Sequence, residues 1–331
     1  MSKQLIKDLE PGVEVKSAFI VARKEVRKTK AGAPYLAIEL ADRSGKVEAR
    51  LWDQVNRYKD AFAEKDYVTV SGRVEKYRDQ KQVVVNSLRR CGEEEVDASD
   101  FLRVVGTDRA ELEGELRLAL EEVRNLHLRG LLLAFLNDPE FMRKFTAAPA
   151  AKNYHHPYLG GLLEHTATTV RICRMICDLY PEIDRDLLIT AAALHDIGKI
   201  HELDYDRTID FTDAGRFLGH LLLSDEMIRE RISGMPGFPE DLALRLRHAV
   251  LSHHGELEWG SPKRPKTIEA VVLHHVDNLD AKVNSFREIA ERAGGSESPW
   301  TDMRNLFKRP LYIPRSMSQE MELDLEEEIP R

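Results

Sequence analysis

All twelve histidines of this chain lie beyond residue 126, and eleven fall between His155 and His275. They group as His165, His195-Asp196, His220, His253-His254 and His274-His275-Val276-Asp277. Imidazole nitrogens suit transition metals, while carboxylates suit harder cations and can serve two at once. A mixed nitrogen and oxygen set without cysteine therefore points to hydrolytic chemistry with Mn2+, Fe2+, Co2+, Ni2+ or Mg2+ and not to a structural zinc site. The run His195-Asp196-Ile197-Gly198-Lys199 is the focus. An imidazole and a carboxylate at the end of an apolar helix can reach one ion, and Ile-Gly lets the chain turn away.

These residues need helices to carry them, and the pattern is helical from Thr107 nearly to the end. Leu112, Leu116, Leu120 and Val123 form one apolar stripe. Caps and breakers predict helices over Glu164–Tyr180, Asp184–Asp196, Asp213–Ile232, Pro239–His254 and Thr267–Ala293. Upstream, apolar residues alternate in the strand period. Five strands are predicted at Val13–Val26, Tyr35–Leu40, Lys46–Trp52, Tyr67–Val74 and Gln82–Leu88. A short helix is predicted over Asp53–Ala63. Three strands, a helix and two strands is the order of an OB-fold barrel. The expected organisation is a barrel over 1–91, a linker with connecting helices over 92–150, an all-α bundle over 151–315 and an acidic, mobile tail over 316–331.

Charge divides the same way. Residues 1–91 hold 20 Lys/Arg against 13 Asp/Glu, whereas the remainder holds 29 against 44. A basic front half fits a polyanionic partner, because neutralised phosphates release counterions; an ordinary solvated surface would look similar. Single-strand-binding barrels pair basic grooves with aromatic rings that stack on bases. Tyr35, Trp52, Tyr58 and Tyr77 are the candidate rings, among Arg50, Lys76, Arg78 and Lys81. Tyr35 and Trp52 could equally be barrel core, the favoured reading for Trp52, and Tyr77, on a basic loop, is the better stacking candidate. Cys173 and Cys177, four apart on one helix, read as buried core residues. Three cysteines make no disulfide framework, and MSKQLIKDLEPG has no apolar stretch of a secretory signal. A cytoplasmic protein is expected.

The order His165, His195-Asp196, Asp277, with GGLLEHT upstream, HDIGK after an apolar helix and HHVDNLDAK downstream, resembles the HD phosphohydrolase superfamily. With the barrel in front and the segment HHPYLGGLLEHT, the chain resembles the YhaM-type 3′-5′ exoribonucleases over roughly residues 10–315. That resemblance implies that His165, His195, Asp196 and Asp277 hold one metal ion and that Asp196 is shared. It implies that His220, His253 and His254 hold a second. Some HD proteins add a third through a glutamate four residues before the first histidine, where this chain has Gly161. Two divalent ions, Mn2+ foremost, would neutralise phosphate oxygens and acidify water.

Lys199 would place a positive charge beside those oxygens; the alternative is a helix C-cap cation worth about 0.3–1 kcal/mol. His155 and His156 are candidate phosphate contacts, with turn packing as the alternative. Asp280 and His274 share a helix face with Asp277 and could orient its neighbours. His201, His248 and His275 read as core or surface residues. The expected activity is 3′-5′ exonucleolytic hydrolysis of single-stranded RNA, with single-stranded DNA as a second polymer. The alternatives are hydrolysis of cyclic or free nucleotides with a regulatory barrel, and a non-enzymatic single-strand-binding protein. A homo-oligomer is compatible with the sequence.

Overall fold

The computed structural model describes residues 3–77, 80–97, 100–152, 155–293 and 298–314. The chain forms two compact units, the first running to Val104 and the second, Tyr205–Thr208 set aside, from Val105. Arg78 and the acidic tail over 316–331 lie outside the described residues.

The first unit is a closed barrel of β1 (Glu14–Lys28), β2 (Pro34–Asp42), β3 (Gly45–Leu51), β4 (Tyr67–Tyr77) and β5 (Gln80–Arg90), in the order β1-β2-β3-β5-β4. Neighbours are antiparallel except β3 and β5, whose parallel pairing of Ala49 with Val83 closes the barrel and removes its edges. The apolar alternation sends Leu36, Ile38 and Leu40 of β2 and Val47, Ala49 and Leu51 of β3 into one core. Helix α1 (Val55–Tyr58) is a single turn, shorter than the spacing predicts. It buries Val55 and Tyr58, so Tyr58 is a core residue and not a stacking ring.

The second unit is helical. Its first three helices are α2 (Arg109–Glu121), α3 (Leu126–Leu136) and α4 (Pro139–Ala147). They pack on α5 (Gly161–Leu179) and α6 (Arg185–Leu194). Asp184 caps α6 by accepting from Leu187 N, a bond worth about 1 kcal/mol in typical helices. Every α6 side chain from Leu187 to Leu194 is buried, as expected of a helix that is apolar all round. Then follow α7 (Lys199–Glu202), a two-residue hairpin of β6 (Leu203–Asp204) and β7 (Asp210–Phe211), α8 (Asp213–Phe217), α9 (Gly219–Ser233), α10 (Glu240–Ser252) and α11 (Ile268–Ala293).

The single helix expected over Asp213–Ile232 is two, broken where Gly219 takes φ +74°. Cys173 and Cys177 are buried free thiols on α5, in line with the core reading. Among the described residues no helix is long and apolar enough to cross a membrane.

Candidate metal centre and nucleic-acid face

Helix ends deliver the histidines. His165 comes from the second turn of α5, His195 caps the C-terminus of α6 and His253 caps that of α10. His220 opens α9 just past the α8–α9 break, and Asp277 lies on α11. Gly198 lets these parts close up: a Cβ there would stand 2.5 Å from the His220 carbonyl oxygen and 2.6 Å from Ser224 N. The turn after Asp196 can therefore lie against α9 only without a side chain.

Two groups result, both with geometry suited to a metal ion: His165, His195, Asp196 and Asp277 in one, and His220, His253 and His254 in the other. His165, His195, Asp196 and His253 are at most 1% exposed. In every ring one nitrogen is already committed. His195 Nδ1 donates to Ala192 O at 2.8 Å and His253 Nδ1 to Val250 O at 2.7 Å, each a carbonyl one turn back in its own helix. His254 Nδ1 donates to Trp259 O at 2.9 Å. His165 Nδ1 donates to Asp280 Oδ2 at 2.7 Å, and His220 Nδ1 to Glu202 Oε1 at 2.9 Å. A carbonyl can only accept, so the hydrogen sits on Nδ1 and a neutral ring presents a lone pair at Nε2.

Those lone pairs converge. His165 Nε2 lies 3.2 Å from His195 Nε2, and His220 Nε2 lies 3.1 Å from His254 Nε2. Such pairs repel unless positive charge stands among them. Asp196 links the groups: Oδ2 is 3.5 Å from His165 Nε2 and 3.4 Å from His195 Nε2, while Oδ1 is 3.5 Å from both His220 Nε2 and His253 Nε2. Oδ1 is buried and has no hydrogen-bond partner among the described residues, which is costly for a carboxylate oxygen unless a cation serves it. Asp277 Oδ1 approaches His165 Nε2 at 3.2 Å. An all-nitrogen and oxygen donor set with an orphaned carboxylate oxygen at its centre fits divalent cations.

Electrostatics shows how strongly the carboxylates of the first group attract positive charge. Burial opposes charge on the His195 ring, but Asp196 and Asp277 outweigh it and lift its pKa to about 10. Burial likewise opposes ionisation of Asp196 and Asp277. Lys199 and His195 overcome this for Asp196, and His165 and His195 for Asp277, holding both well below the usual carboxylate range. Burial pushes His253 down and, with His253 and His220 beside it, takes His254 to about 3.

Lys199 is buried at the start of α7, and its Nζ donates to Asp196 Oδ2 at 2.5 Å. It therefore stands at the heart of the first group and is not a C-cap cation. His155 is half-buried, its ring 6.5 Å from that of His165, and burial followed by Lys199 and His165 drives its pKa to about 3. His156 does not fit a phosphate contact, because both its ring nitrogens are engaged inside the protein. Asp280 holds His165 as described, and His274 Nδ1 donates to His253 O at 2.8 Å. His248 accepts from Lys266 N, while His201 and His275 are exposed. Glu202 was not legible as functional in the sequence; a lone acid in the buried turn after HDIGK was the available signal.

In the barrel unit, Tyr35 of β2 stacks on Trp52 just past β3, with centroids 4.6 Å apart. Trp52 is 40% exposed, so the core reading gives way to an outward-facing ring. The Arg50 guanidinium lies 5.0 Å from the exposed Tyr77 ring and about as close to the stacked pair, at 6.0 and 5.9 Å. Lys76 is exposed one residue away. Together these residues make an aromatic, basic face on strands 2 and 3 and the end of β4, the region where such barrels take up oligonucleotides.

Fold and site define the class. Residues 162–282 match the HD domain and residues 20–90 match the OB-fold nucleic acid binding domain. The protein is a hydrolase whose metal-dependent HD domain follows a nucleic-acid-binding barrel in the sequence. The 3′-5′ exoribonuclease YhaM of Listeria welshimeri is 31% identical over 299 residues, covering 90% of this chain and 94% of that protein. That of Bacillus subtilis is 32% identical over 289 residues, covering 87% and 91%. This chain belongs to the YhaM 3′-5′ exoribonuclease family.

Proposed function

We propose that this protein removes nucleotides from the 3′ end of single-stranded RNA by hydrolysis at a centre of two divalent cations, Mn2+ foremost. One observation carries the reading: a single buried carboxylate, Asp196, turns one oxygen to each of two histidine groups. His165, His195 and Asp277 would hold one ion, His220, His253 and His254 the other, and Asp196 both. Bound there, the cations supply Lewis acidity for water and charge neutralisation for the phosphodiester.

The chain supplies the rest. Nδ1 hydrogen bonds fix every ring with Nε2 inward, so the donors need no reorganisation. Lys199 holds a positive charge against Asp196, ready to balance charge that builds up on phosphate oxygens. Neutral His155 borders the first group from the 155–160 segment, and we assign it to the substrate side. Tyr35, Trp52, Tyr77 and Arg50 would hold the strand through stacked bases, which every base permits, so DNA should bind as well. Polymer type and direction are those the relatives' names carry. Three free, buried thiols suit a reducing compartment, and we place the protein in the cytoplasm.

An RNA 20-mer labelled at its 5′ end tests the reading on chelator-stripped protein. Adding back Mn2+ should give a ladder shortening from the 3′ end. Cleavage of small nucleotides only, or binding without cleavage, would overturn it.

A further inference from the structure

Beside the first group lies a third set of imidazoles and a carboxylate, His156, His165 and Asp280. Its hydrogen bonds distinguish it from the other two. Asp280 Oδ2 accepts from His165 Nδ1 at 2.7 Å and from His156 Nε2 at 2.9 Å. The other His156 nitrogen, Nδ1, lies 2.8 Å from Glu164 Oε2 and 2.8 Å from the Tyr158 hydroxyl, which itself donates to Glu164. Both nitrogens of His156 thus face acceptors, and a ring that donates from both carries positive charge and no lone pair. In the metal groups Nε2 meets Nε2; here N–H meets carboxylate.

The chain is shaped to hold this ring. His156 is 3% exposed. Its backbone and that of His155 take φ +56° and +44°, a conformation that residues other than glycine rarely adopt. The His156 N–H donates to Asn284 Oδ1 of α11 at 2.7 Å and pins that turn. Gly161 must be bare, since a Cβ there would stand 2.3 Å from the His156 carbonyl oxygen. Burial opposes the charge on His156, yet Asp280 and Glu164 raise its pKa above the ordinary imidazole value.

We propose that His156, hydrogen-bonded between Asp280 and Glu164, is a positioning residue that aims His165 Nε2 at Asp196 and Asp277, and is neither a third cation site nor a phosphate contact. Both bonds to Asp280 end on one oxygen, so His156 fixes the carboxylate that fixes the ring. The inference rests on His165 being a metal ligand.

The test is calorimetric titration of the full, chelator-stripped chain with Mn2+, together with the visible spectrum of the Co2+ form. His156→Ala should weaken Mn2+ binding about ten- to a hundredfold, the usual effect of removing such a partner, and should shift the Co2+ bands. His156→Gln, whose amide can still donate to Asp280, should restore most of the affinity. At saturating Mn2+ the KM for an RNA 20-mer should stay that of the parent. Should His156→Ala not fold, His156→Gln and the isosteric Asp280→Asn carry the test: Asp280→Asn should weaken Mn2+ binding about ten- to a hundredfold, with His156→Gln between it and the parent, and parent-like affinity in Asp280→Asn overturns the proposal. Parent-like Mn2+ affinity in His156→Ala, or a raised KM with unchanged Mn2+ affinity, overturns the proposal. So does the loss of one whole equivalent of bound Mn2+. If His165→Ala leaves Mn2+ binding intact, the metal reading itself fails and takes this proposal with it.

Discussion

Replacing Asp196 with asparagine separates a shared carboxylate from an ordinary ligand. The side chain is 1% exposed, and asparagine keeps its shape while removing one negative charge. At about 4 Å and an effective dielectric of about 20, a pair of unit charges interacts by about 4 kcal/mol, which is about a thousandfold in affinity. Because Oδ2 faces His165 and His195 while Oδ1 faces His220 and His253, two Mn2+ binding events should weaken together by that order. His254→Ala makes the contrast. Its Nε2 belongs to the second group only, 3.1 Å from that of His220, so only one event should weaken. Calorimetric titration of stripped protein with Mn2+ reads the two events, hydrolysis of the RNA 20-mer reads turnover, and melting in chelator checks the fold. If Asp196→Asn kept parent affinity and turnover, or lost one event only, the reasoning from the divided carboxylate would be refuted.

At the barrel, Tyr77→Ala should cost about 1–3 kcal/mol of oligonucleotide affinity, roughly 5- to 150-fold, and leave hydrolysis of a small phosphodiester unchanged. Fluorescence anisotropy against a labelled 20-mer measures this, and equal Kd values would remove Tyr77 from the binding face. Acidity should divide the two metal groups, because protons compete for the ring nitrogens. His253 and His254 are held below the ordinary imidazole value, so these two rings should release no proton to Mn2+ at neutral pH. Asp196 and Asp277 lift the His195 pKa to about 10, so a cation entering the first group should displace a proton, and affinity there should rise with pH across the neutral range. Calorimetry in buffers of different ionisation heat counts the proton, and a pH-independent first event would refute the assignment.

Periodicity made the five strands and their barrel order legible, since a closed barrel must bury every second residue. The parity of β3 also contained the correction to Trp52: it follows the inward Leu51 and so points out. The helix ends at His195 and His253 could be read from the glycines that follow them. The break before His220 could not. Residues 213–232 keep a helical pattern through Gly215 and Gly219, and only packing against the Gly198 turn reveals why the chain restarts there. The metal candidates were legible because side chains of one chemistry recur at helix ends. Among their supports Asp280 was legible from the helix face it shares with Asp277; Glu202, Glu164 and the Trp259 carbonyl were not, because they act through distances that one-dimensional spacing does not encode. For His156 the sequence leaves phosphate contact and turn packing open for the same reason, as its neighbours come from α5 and from α11, the latter more than a hundred residues on.

His195 and His253 each lean on a carbonyl of the helix that ends in them. Ring orientation is thereby written into the last turn of α6 and of α10. Helix α6 is enclosed along its final eight residues, so its end has no solvent into which to fray independently. Heating should consequently never yield an intact enzyme blind to cations: loss of ion capture and collapse of the helical unit will share one transition, and a thermally tolerant variant will be one whose helix ends are braced.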